Sequence, residues 1–156
     1  MKIVLDTNVL FAAFAARGLV HSIFELCLEN HTIVIGEHIL DELERHLLGK
    51  LMLPEDKALQ IISFLKDTCM TTGEAPVDAS LCRDKDDLKI LGLAEKAAAD
   101  LIISGDEDLL IIGNFHSIPI WTPRRFWESV RKSQETEAAA KRREKPKAIN
   151  EKSRKA

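Results

Sequence analysis

Short unbroken apolar runs alternate with longer stretches of helical spacing along this chain. Ile3-Val4-Leu5, Thr32-Ile33-Val34-Ile35 and Leu101-Ile102-Ile103 are too short and too rich in β-branched residues for helices, and predict strands buried on both faces. Between them the pattern is helical. Val9 to Ala16 starts a helix, and His21 to Glu29 continues with Ile23, Phe24, Cys27 and Leu28 on one side. Gly36 ends the second strand, and a helix runs from about Glu37 to Leu48. Pro54 suits the first turn of a further helix, carrying Leu59, Ile62, Phe64 and Leu65 to about Lys66. Thr71 to Pro76 has turn composition, and Asp84 to Ala98 is helical. Ile118-Pro119-Ile120 predicts a short last strand, at an edge because proline cannot donate to a ladder. Thr122 as cap and Pro123 at the first position open a closing helix through Phe126, Trp127 and Val130.

Strands separated by helices of this length predict an α/β fold, a parallel sheet covered by helices on both faces. The packed domain is expected over 1–130. Residues 131–156 form a different segment, Ala138-Ala139-Ala140 followed almost only by charges. It can extend the last helix by a few turns but has too few large apolar residues to pack, so disorder is expected from Lys145 onward.

Length and composition narrow the class. The chain has 156 residues, enough for one domain with a real core, and its 46% hydrophobic content is ordinary for a globular protein. No apolar run approaches the roughly 18 residues that span a membrane. Met1-Lys2 leads straight into a strand with no signal-peptide pattern. Cys27, Cys69 and Cys82 form no CxxC pair and are odd in number, which predicts buried free thiols in a reducing cytoplasm. Of 22 Lys/Arg and 25 Asp/Glu, ten and four lie from Arg131 onward, leaving 12 basic and 21 acidic residues before it. The body therefore does not attract nucleic acid in bulk, and its clustered carboxylates require a compensating cation.

Asp6 stands at the end of the first strand, followed by Thr7 and Asn8, and Ser104-Gly105-Asp106-Glu107-Asp108 follows the third. In open α/β sheets that edge is where ligands bind. A third acidic cluster, Arg83-Asp84-Lys85-Asp86-Asp87, precedes a helix, and a fourth, Glu37, Asp41, Glu42 and Glu44, lies on the helix after strand two. Hard divalent cations such as Mg²⁺ take oxygen ligands, so carboxylates converging in a cleft predict a metal site and phosphodiester chemistry. Each cluster also has a purely structural reading. Asp6 and the acids at 84–87 suit helix caps, and Gly105-Asp106 suits a turn. At about 100° per residue, Ile39, Leu40, Leu43 and Leu47 define the buried helix face; Asp41 points away from it, while Glu42 and Glu44 flank it on opposite sides and remain undecided.

Rival chemistries lack their frameworks. Glu42 and His46 are spaced i, i+4, but no HExxH or Cys/His set accompanies them, which argues against zinc. There is no Gly-rich phosphate loop and no serine nucleophile elbow. His116 is expected on a surface loop.

Ile3-Val4-Leu5-Asp6-Thr7-Asn8-Val9-Leu10 resembles the opening motif of PIN domains. Gly36-Glu37-His38-Ile39-Leu40-Asp41-Glu42-Leu43 resembles the second motif, Arg83-Asp84-Lys85-Asp86-Asp87 with Leu91-Gly92-Leu93-Ala94 the third, and Ile102 to Leu110 the fourth. Ile118 to Pro123 resembles the usual end of the fold, so the likeness covers about residues 1 to 130. The branch most similar contains toxins of prokaryotic toxin–antitoxin pairs, related to the VapBC type.

The resemblance implies a three-layer α/β/α sandwich with a central parallel sheet and Mg²⁺- or Mn²⁺-dependent cleavage of single-stranded RNA. Carried over by position, the catalytic and metal-binding acids are Asp6, Glu42, Asp87 and Asp106; the family pattern selects Glu42 over Glu44. Asp87 is preferred in the third motif because it lies seven residues before Ala94, with Asp84 the alternative. Asp108 is a further metal candidate, and Asn8 and Ser104 are polar helpers. The implied partners are RNA, a small antitoxin and a second copy of the chain, with no membrane. Ser104 stands where many members have Thr, Gly36 where a Ser often precedes the helix, and the basic tail lies outside the pattern.

Two other classes compete. One is a nucleic-acid- or protein-binding module that keeps the scaffold with little catalysis; the four carboxylates weigh against it. The other is a phosphatase or receiver-like domain with a phosphorylatable aspartate. Asp6 lacks the DxD pattern for the former, and Thr122-Pro123 follows the last strand where a receiver needs Lys.

Overall fold

A computed structural model describes residues 1–145. The elements are β1 (Lys2–Leu5), α1 (Thr7–Ala15), α2 (Leu19–Asn30), β2 (Thr32–Ile35), α3 (Glu37–Gly49), α4 (Glu55–Thr68), β3 (Met70–Thr71), α5 (Lys85–Lys96), β4 (Leu101–Ile103), α6 (Glu107–Ile112), β5 (Asn114–Phe115), β6 (Ile118–Trp121) and α7 (Pro123–Glu144). The sheet order is β3-β2-β1-β4-β6-β5. Five strands run parallel, and β5 pairs antiparallel with β6. The α/β sandwich expected from the sequence is present, with its sheet mixed rather than wholly parallel.

The three apolar runs form the centre of the sheet. Ile3, Val4, Ile35, Ile102 and Ile103 are completely buried, because helices cover the strands. Helix α3 buries Ile39, Leu40, Leu43 and Leu47. Helix α4 buries Ala58, Ile62 and Leu65, which share one face at helical spacing; Leu59 and Phe64 lie off that face and are exposed. Met1–Phe126 forms one compact unit, and Trp127 begins a second. The disorder expected from Lys145 onward falls almost wholly on residues 146–156, outside the described residues.

Several expectations need correction. The stretch expected to open with a turn at Thr71 begins inside β3, which pairs with β2 through Val34 and Ile35. Pro119 is not on an edge strand, since β5 covers β6 and Asn114 faces Pro119. The hairpin turns through His116 and Ser117, both at positive φ, and proline is accommodated opposite a strand of only two residues. Helix α6 has no counterpart in the apolar pattern, since six residues are too few for a periodic signal.

The topology creates a crevice. Strand order reverses across β1 and β4: the chain leaves β1 toward β2 and β3, then returns to β4 on the other side. Ligands bind at such switch points, outside the carboxyl ends of the strands. No single helix among the described residues is long and apolar enough to cross a membrane.

Candidate metal centre

Leu5, Ile103 and Trp121 stand in one register row. The next residues, Asp6, Ser104 and Thr122, leave the sheet at the same edge. The ladder continues one step, with Asp6 N–H donating to Ile103 O at 3.0 Å and Ser104 N–H to Trp121 O at 3.0 Å. Asp6 and Ser104 are thus held as firmly as strand residues.

Both Asp6 oxygens are engaged. Oδ1 accepts from Thr7 N at 2.7 Å, capping α1, and Oδ2 accepts from Ser104 Oγ at 2.7 Å. Ser104 Oγ in turn accepts from Asp106 N at 3.0 Å, so one hydroxyl ties the first acidic cluster to the one that follows β4. Asp106 Oδ1 caps α6 by accepting from Asp108 N at 2.8 Å. Asp84 Oδ1 caps α5 by accepting from Asp86 N at 2.9 Å. The helix-capping readings of Asp6 and Asp84 are therefore correct, Asp106 caps a helix where the sequence suggests only a turn, and all three side chains line one cleft. Three helix N-termini, each a positive dipole end, meet there and offset part of the carboxylate repulsion.

Glu42 reaches the cleft from α3. Thr7 Oγ1 donates to Glu42 Oε2 at 3.1 Å, while His46 Nε2 lies 3.9 Å from Oε1, too far for a hydrogen bond. The cleft, about 80 Å³ in volume, is lined by Asp6, Asn8, Glu42, Asp84, Asp86, Asp87, Ile90 and Asp106. Asp41 is exposed, and Glu44 is not among the lining residues. Asp108 lies beside the lining set: one oxygen each from Asp87, Asp106 and Asp108 fall within 4.8 Å of one another. Every site residue expected from the sequence thus lies in or beside one constellation.

Asp87 is the strained member. It is 6% exposed, and its Oδ2 is buried without a hydrogen-bond partner among the described residues. Burial first, and then the charges of Asp106, Asp84, Asp6 and Asp108, push its carboxyl up to about 7. Asp6 is raised too, chiefly by burial; the Ser104 and Thr7 hydrogen bonds oppose the shift, while Asp106 and Glu42 add to it. Burial and then the charges of Asp87, Asp108, Asp106 and Asp84 raise the Cys82 thiol, which keeps it protonated and unreactive. The donor set is all oxygen, anionic and partly unsatisfied, which fits a hard divalent cation. Asp87 and Asp106 belong to both the cleft and the close trio, and with Asp108 they are the side chains that could hold such an ion.

The sequence pattern does not single out Thr7 or Asp86. Thr7 is the first residue of α1, and its orientation toward α3 is tertiary information. Asp86 is one of three acids close together, and its exposed position at the cleft mouth has no sequence signal beyond that crowding. His116 is exposed as expected, with Nδ1 3.0 Å from Glu95 Oε1. Cys27, Cys69 and Cys82 are buried and free.

A family model described as PIN domain matches residues 2–108. The uncharacterized protein MJ1680 of Methanocaldococcus jannaschii is 29% identical over 151 residues, spanning 85% of this chain and 93% of that protein. Among solved structures, VapBC2 from Rickettsia felis, bound to a DNA fragment from its promoter, aligns with a TM-score of 0.57 at 15% identity, covering 78% of this chain and 98% of that one. FitAcB from Neisseria gonorrhoeae aligns with a TM-score of 0.46 at 14% identity, covering 78% and 97%.

Proposed function

The chain belongs to the PIN domain family, and from that premise we propose that it is a divalent-cation-dependent endoribonuclease, with Mg²⁺ or Mn²⁺ as the ion. The observation that carries this reading is the convergence of Asp6, Glu42, Asp87 and Asp106 on one cleft, one of them, Asp87, with a buried oxygen that has no hydrogen-bond partner among the described residues. PIN domains are generally nucleases, which supplies the reaction class, hydrolysis of a phosphodiester.

When bound, a divalent cation supplies Lewis-acid stabilisation of phosphoryl oxygens and activation of the attacking water. The chain's own residues do the positioning. Ser104 and Thr7 fix both oxygens of Asp6, so that side chain needs no reorganisation to act as a ligand. Thr7 restrains Glu42 from one side. Asp106 is fixed through its cap, and Asp87 brings a carboxylate oxygen within 4.8 Å of one each from Asp106 and Asp108. Near neutrality Asp87 is poised between its protonated and charged forms, so little free energy would be needed for its proton to leave to water when a cation binds. Asp108 and Asp84 extend the acidic rim, and Asn8 supplies a neutral polar group at the mouth.

We place the nuclease within 1–130 and regard 131–156 as a basic appendage. The substrate is single-stranded RNA, and the proposed protein partners are a small antitoxin and a second copy of the chain. The antitoxin follows from the sequence resemblance, and the Rickettsia felis neighbour is itself a VapBC2 assembly. The three free buried thiols suit the reducing cytoplasm expected for such a protein.

Purified D6N and D106N variants, shown to be folded, are compared with the unaltered protein for cleavage of a single-stranded RNA in Mn²⁺. The expected result is a loss of at least about 100-fold, in line with removing a key electrostatic group. Cleavage at the unaltered rate by both variants contradicts the reading.

A further inference from the structure

We propose that Trp121 and Arg125 form a substrate subsite beside the acidic cleft, at which the guanidinium pairs with the phosphodiester next to the one being cleaved. This rests on the ribonuclease reading above and adds the residues that grip the strand.

The placement comes from the sheet. Trp121 closes β6 in register with Ile103, and its carbonyl accepts from Ser104 N, the residue whose hydroxyl bridges Asp6 and Asp106. Adjacent strands lie about 4.8 Å apart, so the end of β6 is about 5 Å from that of β4 and about 10 Å from that of β1. Arg125 follows in the first turn of α7, its backbone N–H donating to the Thr122 hydroxyl at 3.1 Å. Its guanidinium lies over the Trp121 ring at 4.7 Å from the centroid.

Two features separate this pair from an ordinary surface contact. Arg125 is exposed and has no ion-pair partner among the described residues, although it starts from the same sheet edge as a crowd of carboxylates. The indole face sits against the guanidinium, and no side-chain hydrogen bond or ion pair among the described residues takes up its N–H groups. An arginine resting on an aromatic face keeps its planar fork available for bidentate pairing with phosphate. The cleft itself repels a polyanion, so a cation carried just beyond the neighbouring strand end would favour the approach of the strand. Arg124, Arg83 and Lys85 are also near this edge in sequence, but none is held on an aromatic ring.

The test is steady-state cleavage in Mn²⁺ of two substrates, a single-stranded oligoribonucleotide and a dinucleoside monophosphate, which lacks a neighbouring phosphate. The expected result is that R125A raises KM for the oligonucleotide about tenfold, the order expected on removing a charge-assisted hydrogen bond, and leaves kcat unchanged. R125K recovers part of the loss, because charge remains without the planar fork. W121A, checked for folding by its thermal transition, acts in the same direction as R125A. Dinucleoside cleavage is unaffected by either R125A or R125K. An oligonucleotide KM unchanged in R125A, or an equal loss on both substrates, overturns the subsite while leaving the nuclease assignment standing. Failure of the unaltered protein to cleave either substrate removes that assignment and the subsite with it.

Discussion

Asp87 concentrates the cost of the site in one side chain. A buried carboxylate without a partner disfavours its own charge, and its neighbours add to the penalty. Its folded-state value of about 7 lies above the ordinary 3.8, so between these values the folded protein binds more protons than the unfolded chain. Its stabilising contribution is therefore fully present below about 3.8 and has been lost once pH passes about 7. The metal-free protein should lose stability as pH rises through that window, at up to about 1.4 kcal/mol per unit. Chemical denaturation in EDTA at several pH values measures this slope. D87N removes the charge, so it should stabilise the metal-free protein at pH 8, flatten the slope and abolish cleavage. Ser104 is the complementary case, serving Asp6 and Asp106 at once. S104A should lower activity or metal affinity about 10–100-fold, the usual cost of removing support behind a ligand. A fall of less than twofold would show that the bridge is not needed.

Capping turns local sequence into site geometry at the scale of elements. Asp6, Asp84 and Asp106 each cap the helix that follows, and the sheet and loops bring those three helix starts to one edge. Helix α5 is pinned by a close approach: a Cβ on Gly92 would clash with the backbone oxygen of Ala75, while Ala75 N–H donates to Gly92 O at 2.9 Å. Alanine normally favours a helix interior over glycine by about 1 kcal/mol. Here G92A should instead destabilise by about 1–3 kcal/mol, as overpacking does, and shift Asp87 on the same helix. Urea denaturation and Mn²⁺ affinity read the two effects. The strands and long helices are legible in the sequence because their apolar spacing is set by burial. Elements of two to six residues, β3, β5 and α6, are not, since pairing rather than periodicity defines them. Asp6 and Asp106 are legible from their place after apolar runs. The choice of Glu42 over Glu44 comes only from the family pattern, because the decisive contact, Thr7 Oγ1 to Glu42, joins two helices. Asp86 stays hidden among neighbouring acids for the same reason: only packing decides which of them face the cleft.

Charge is divided unevenly over the whole molecule. The first 130 residues hold 12 basic and 21 acidic side chains, and the remaining 26 hold ten and four. A chain ending at residue 130 retains the compact unit Met1–Phe126 and should keep its thermal transition. It should also bind single-stranded RNA with a weaker salt dependence, by about 0.7 in the log–log slope for each phosphate that the appendage would neutralise. An unchanged slope would exclude the appendage from RNA binding. The cleft is central, because an oxygen-rich cavity with an unpaired buried carboxyl oxygen fits a divalent cation. Calorimetric titration with Mn²⁺ at pH 7.5, comparing the unaltered protein with D87N, tests that fit most directly. Saturable uptake by the unaltered protein, with proton release, and its loss in the folded D87N variant are the expected results. Equal heats from the two proteins, or no uptake by either, would contradict that fit.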